Sequence, residues 1–184
     1  MDYILQTEKI LKFLEFNIEL EESKAILKLK KIFNNDLNLL GGYIKDFLTI
    51  KNDGNISNDN HLYNDFVLCF EKSKNKSAFI YKLTTFANHY ISLVYEDTED
   101  RILLSTVASV NSCFAIEYYP FLMELIDKKL NNKIDRISYA LMLQSISDKV
   151  FKNFESEKEN NITLADLRKE LESIRFSRNE RIAI

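Results

Sequence analysis

The chain has 184 residues, 46% of them hydrophobic and 12% aromatic, and a formal net charge of −3. That apolar content excludes a disordered chain, and the balance of 25 basic against 28 acidic side chains excludes a global attraction to nucleic acid or to an anionic membrane. Three glycines and one proline are too few turn residues for an all-β domain. The expectation is therefore an all-α fold: a single-domain helical bundle over residues 1–184, with about six to eight helices and a central apolar hairpin or kinked helix at 102–130.

Residues 3–33 carry Ile4, Leu11, Leu14, Ile18, Ala25, Leu29, Ile32 and Phe33 at three- and four-residue steps, which predicts one long helix or two abutting ones ending at Asn34-Asn35. A short helix follows over Leu37–Ile50, with an interruption or bend expected at Gly41-Gly42. The tract KNDGNISNDN, 51–60, is a loop. A helix from His61 to about Ser73 turns Leu62, Phe66, Cys69 and Phe70 to one side. Residues 77–95 are rich in β-branched and aromatic side chains, as a strand would be, but Phe79, Leu83, Phe86, Tyr90, Leu93 and Val94 recur at helical spacing and alternation fails after Tyr81.

Asp97 is the expected cap of a helix running to Tyr118 or Tyr119. Pro120 then suits the first turn of a new helix, the alternative being one helix kinked there. A helix from about Ile134 to Glu157 is expected to turn Ile137, Ala140, Leu141, Gln144, Ile146, Val150 and Phe154 inward. Thr163 should cap the last helix with Asp166, its stripe being Leu164, Leu167, Leu171, Ile174, Arg178 and Ile182.

Cys69 and Cys113 lie among apolar residues and read as buried free thiols in a reducing, cytoplasmic setting. The N-terminal residues carry charges where a signal peptide needs an apolar run, so no secretion is expected. The longest uncharged run, Ile102–Ile116, is too short and too hydroxylated to span a bilayer, so no membrane partner is expected.

The loop around Asp53-Gly54-Asn55 resembles the middle of a calcium loop, but the matching register puts Lys51 among the ligands, so it reads as a solvated turn. His61 and His89 stand far apart without zinc spacing, and no phosphate-binding glycine motif or nucleophile elbow occurs, so neither metal nor cofactor is expected. Glu117, Glu124 and Asp127 could pair for acid–base work but read first as a solvated helix face. Tyr118 and Tyr119 at the Pro120 break, and the C-terminal cluster Arg175, Arg178 and Arg181, are the candidate contacts for a partner or for RNA.

The ending IRFSRNERIAI resembles the segment of HEPN-domain proteins, including those of abortive-infection systems, in which Arg-Asn precedes a histidine. The resemblance implies a helical, dimeric, metal-independent ribonuclease with Arg178 and Asn179 as its first catalytic half. Ile184 stands where the histidine would be, which implies a copy that binds RNA or a partner without cleaving. The expected function is thus a non-enzymatic helical protein that binds another macromolecule, a protein partner or a second copy first and RNA second, in a microbial or viral conflict system. The alternatives are a HEPN-like ribonuclease and a helical cell-death regulator that takes an amphipathic peptide in a groove floored by 102–130.

Overall fold

The computed structural model describes residues 3–18, 20–54, 61–156 and 162–182, with side chains in the helices except at 20–22 and 177–182. Among the described residues are nine α-helices, one 3-10 turn and no strand, so the chain is all-α with slightly more helices than expected. Its contacts cluster into two compact units, Met1–Ile91 and Ser92–Ile184.

The first unit contains α1 (Tyr3–Asn17), α2 (Leu20–Ile32), α3 (Leu37–Lys51), α4 (Leu62–Lys72) and all but the last turn of α5 (Lys76–Val94). The 3–33 segment is two helices. The Asn17 amide donates to the Phe13 carbonyl at 2.8 Å, a local bond that competes with helix continuation. Asn34 and Asn35 take left-handed backbone, φ 49° and 60°, which asparagine tolerates better than most residues. Asp36 then caps α3 by accepting from the amides of Asn38 and Leu39 at 3.0 Å. Residues 77–95 are helical, as the spacing predicts.

The bend expected at Gly41-Gly42 is absent; α3 runs through both glycines. Gly41 serves packing instead. A Cβ there would stand 2.6 Å from Thr7 Oγ1 and 2.7 Å from the Tyr3 ring, while the Tyr3 hydroxyl donates to the Gly41 carbonyl at 3.1 Å. Gly41→Ala should therefore cost up to roughly 2 kcal/mol in urea unfolding: about 1–3 for overpacking, partly offset by about 1 of helix propensity. Gly42→Ala meets only the movable Tyr90 hydroxyl, at 3.0 Å, and should cost less. Equal losses at the two positions would contradict this packing role.

The core of this unit is aromatic. Phe33 stacks on Tyr43 with centroids 5.3 Å apart, and Phe47, Phe66 and Phe70 all meet Phe79 edge to face at 5.4–5.7 Å. Tyr43 is fully buried, and its hydroxyl is accommodated by donating to the Leu83 carbonyl of α5.

The second unit contains the last turn of α5, then α6 (Arg101–Ser112), a 3-10 turn (Ile116–Tyr118), α7 (Tyr119–Leu130), α8 (Arg136–Glu155) and α9 (Leu164–Ile182). The cap of α6 is Asp100, not Asp97. The amides of Glu96 and Asp97 are used in closing α5, onto the carbonyls of Leu93 and Ser92. α6 also stops earlier than expected, at Ser112, where Phe114 turns left-handed at φ 55° and the Ala115 amide returns to the Val110 carbonyl at 2.9 Å. Pro120 sits in the first turn of α7, as its missing N–H favours. The 102–130 stretch is thus two helices joined by a turn, and both pack against α8. Leu103, Val107 and Val110 of α6 and Phe121, Leu122 and Leu125 of α7 are buried, as expected of core. The hydroxyl of Thr106, 2% exposed, donates to the Leu143 carbonyl at 3.3 Å and accepts from Ser147, which fixes α6 against α8.

Thr163 and Asp166 form the expected reciprocal cap, with Asp166 N to Thr163 Oγ1 and Thr163 N to Asp166 Oδ2 both 3.2 Å. α9 docks through Leu164, Leu167 and Leu171, through Lys149–Glu170 at 2.6 Å, and through a bidentate Arg168–Glu124 pair at 2.6 and 2.9 Å.

Candidate functional site

Tyr118 and Tyr119 are core side chains, 1% and 5% exposed, which removes them as surface contacts for a partner or for RNA. They fill the break before α7. The Tyr119 hydroxyl donates to Asn111 Oδ1 at 2.6 Å, and the Asn111 amide donates to the Leu93 carbonyl and to Glu96 at 3.1 Å. Arg175 is half-buried and paired with Glu172 at 3.1 Å. Arg178, Asn179 and Arg181 lie on α9, but their side chains fall outside the described residues. Glu124 belongs to the Arg168 pair rather than to a carboxylate dyad. Residues 55–60 of the calcium-like loop also lie outside the described residues.

His61 is exposed and His89 is buried. Among the described residues no group of three or more histidine, cysteine or acidic side chains could hold a metal, and no helix is long and apolar enough to cross a membrane. Cys69 and Cys113 are free thiols, both half-buried; burial raises the pKa of Cys69 against the lowering charges of Lys51 and Lys72.

Two features of the second unit meet at the start of α8. The first is the outer face of that helix. Ser138, Tyr139, Met142, Leu143, Ile146 and Val150 turn inward. Of the residues expected inward, Ile146 and Val150 are buried, while Ile137, Leu141 and Phe154 are 53%, 50% and 62% exposed and Gln144 is exposed too. α8 has two apolar stripes at the same helical period, and only the positions of α6 and α7 decide which one is covered. Ile137, Leu141 and Phe151 (51% exposed) lie along one outward line with Gln144 and Asp148 between them, and Gln144 Nε2 donates to Asp148 at 2.8 Å.

The second feature is a cleft of about 680 Å³ bounded by the start of α6, the end of α7 and the start of α8. Asp100 organises it. One carboxylate oxygen accepts the amides of Ile102 and Leu103 at 3.1 and 3.3 Å; the other accepts from Lys129 at the end of α7. Burial alone would raise the pKa of Asp100, but the Lys129 bond and the Leu103 and Ile102 amides outweigh it and hold the carboxyl below its usual value. The Lys129 ammonium also lies 4.6 Å over the Tyr139 ring. Tyr139 and Ile134, 2% and 8% exposed, form the buried end of the cleft. Burial, followed by the charge of Asp100 and a hydrogen bond to its carboxylate, pushes the Tyr139 phenol well above its ordinary pKa, so it stays neutral. Arg101 and Arg136, both exposed, stand at the rim.

Each arginine directly follows the aspartate that caps its helix, in Asp100-Arg101-Ile102 and Asp135-Arg136-Ile137. This repeated triplet is a signal in the sequence that points to the cleft, and composition and periodicity pass over it. Cations in the first turn oppose the helix dipole by about 0.3–1 kcal/mol, so helix stability does not account for either arginine.

In the cleft the lysine is tied to a carboxylate, the phenol is held neutral, and Cys113 is not among the lining residues. No protein-family model, curated protein or solved structure matches the chain.

Proposed function

We propose that the chain is a non-enzymatic helical module that binds another protein through the outer face of α8, and that its partner is a second copy of itself. The observation that carries this reading is the exposure of Ile137, Leu141 and Phe151, each half in water, along one line of a helix whose opposite face is already packed. The line runs Ile137, Leu141, the Gln144–Asp148 pair, then Phe151 and Glu155. Antiparallel pairing about its middle sets Leu141 against Phe151, with Ile137 beside the contact, and puts the polar pair against itself. It also brings Glu155 to the basic start of the helix, near Lys133 and Arg136, where charge and helix dipole both favour an acid.

Sedimentation equilibrium should show a concentration-dependent dimer, and Leu141→Asp with Phe151→Asp should give a monomer with unchanged helicity. A wild-type chain that stays monomeric at its highest soluble concentration would overturn the reading. The ribonuclease alternative rests on Arg178. We expect total RNA to remain equally intact with wild type and with Arg178→Ala; cleavage by wild type alone would favour that alternative.

A further inference from the structure

We propose that the end of the second unit where α5, α6 and α8 stop is a docking surface for a basic amphipathic helix of another protein. Tyr95, Phe114, Ile116 and Phe154 stand at this end, each 60–85% exposed. Hydrogen bonds and register place them in a row. α6 and α8 run in the same direction from the cleft their starts share, because Thr106 further along α6 meets the Leu143 carbonyl and Ser147. α6 has 12 residues and α8 has 20, so α8 outruns α6. Phe154 lies seven residues after Ser147, two turns on and on the same side of α8, at a level where α6 has ended. Its ring is exposed for that reason.

Across α6, Asn111 lies roughly 140° around the helix from Thr106. Its amide holds the turn after α5 through the Leu93 carbonyl and Glu96. The turn that closes α6, with Phe114 and Ile116, falls between these two sides. The row therefore runs from Tyr95 through Phe114 and Ile116 to Phe154. Neighbouring helices lie about 8–10 Å apart, so the row spans roughly 16–20 Å, about three turns of a docked helix. Phe114 marks it most clearly. Its backbone is left-handed at φ 55°, where asparagine or glycine would close the turn at less cost. A ring so exposed adds little to the core, so neither the turn nor the fold accounts for it.

The surrounding charge selects the partner. Residues 92–100 and 111–119 form two of the three sides of the row and hold five acidic side chains and no basic one. Asp100 is taken by Lys129, while Glu96, Asp97 and Glu117 are exposed. Lys152, the base in the last turn of α8, is two residues from Phe154 and so points to the far side of that helix. An apolar row with an acidic border repels an anionic membrane or a nucleic acid. It suits a helix with an apolar stripe flanked by lysine or arginine.

The test is fluorescence anisotropy of the full chain with a labelled leucine–lysine peptide of about four turns, its leucines on one helical stripe. Saturable binding is expected, and the same composition in scrambled order should bind at least about tenfold more weakly. Phe114→Ser with Phe154→Ser should weaken binding about tenfold at an unchanged melting temperature, since both rings are exposed in the free fold. Asp97→Asn with Glu117→Gln should weaken it about threefold and flatten its salt dependence. The Leu141→Asp, Phe151→Asp variant should bind the peptide at least as tightly as wild type, which separates this surface from self-association through α8. No saturable binding, equal binding of the scrambled peptide, or equal binding by wild type and the Phe114→Ser, Phe154→Ser variant would overturn the proposal. So would loss of self-association in that variant, because the row would then be covered by a second copy.

Discussion

Asp46→Asn should make the first unit more stable than wild type by roughly 3–5 kcal/mol at pH 8.5 and nearly equal to it at pH 4. Asp46 sits on α3, one turn after Gly42. Burial pushes its carboxyl from 3.8 up to about 8, against a smaller lowering from the neighbouring Lys45 charge. The unfolded chain releases this proton near pH 4 and the folded chain near pH 8. Between those values the folded state binds the extra proton, so stability falls as pH rises through that window and the loss is complete above the folded value.

Every tenfold difference in proton affinity between the folded and unfolded chains corresponds to about 1.4 kcal/mol. Because the carboxyl keeps some contact with water, its ionisation costs less than the whole difference implies. Asparagine keeps the shape and carries no charge. Urea unfolding at pH 4, 6 and 8.5 checks this: wild-type stability should slope downward with pH, and the variant's should be flatter by that amount. Parallel curves would show that Asp46 ionises without penalty in the folded chain.

Phe47→Ala should cost about 3–5 kcal/mol in the same unit. Phe47 is 1% exposed and lies at the crossing of α3 and α5, edge to face with Phe79 at 5.4 Å and near Tyr43 and Phe86 at 6.1 Å. The Lys51 ammonium, whose pKa is lowered by burial and then by Lys82, rests 5.4 Å over its ring. Alanine would leave a void ringed by stiff aromatic side chains that cannot close over it, so both the lost burial and the cavity left behind should be felt. The denaturation midpoint should drop with little change in slope, whereas Phe47→Leu, which fills much of the space, should recover over half of the loss. A Phe47→Ala loss under about 1 kcal/mol would mean that the cluster repacks freely.

The helices themselves are local events and are legible as such. Periodicity separates helix from strand at 77–95, and short-range hydrogen bonds fix the caps at Asp36, Asp135 and Thr163. The start of α6 is the informative exception. Asp97 and Asp100 both have the side chain of a cap, and it is the Asp100 carboxylate that accepts the Ile102 and Leu103 amides, so the helix starts three residues later. Gly41 is a second exception. A glycine that would bend an isolated helix is here the place where α1 comes close, a fact held by Tyr3 and Thr7 more than thirty residues away.

The candidate sites were less legible. Tyr118 and Tyr119 have the composition of a contact surface but are consumed by the break they stand in. Glu124 looks solvated until Arg168, 44 residues later, meets it. Arg101 and Arg136 fall in one cleft only because α6 and α8 start side by side.

By itself the sequence determined the all-helical class and which stretches are apolar, because each of these depends on residues within a turn or two of one another. Only the tertiary structure decided which apolar stripe of α8 is core and which faces water, and that two arginines 35 residues apart line one cleft. Hydrophobic burial is non-directional, so an apolar residue carries no mark of its partner until another element covers it.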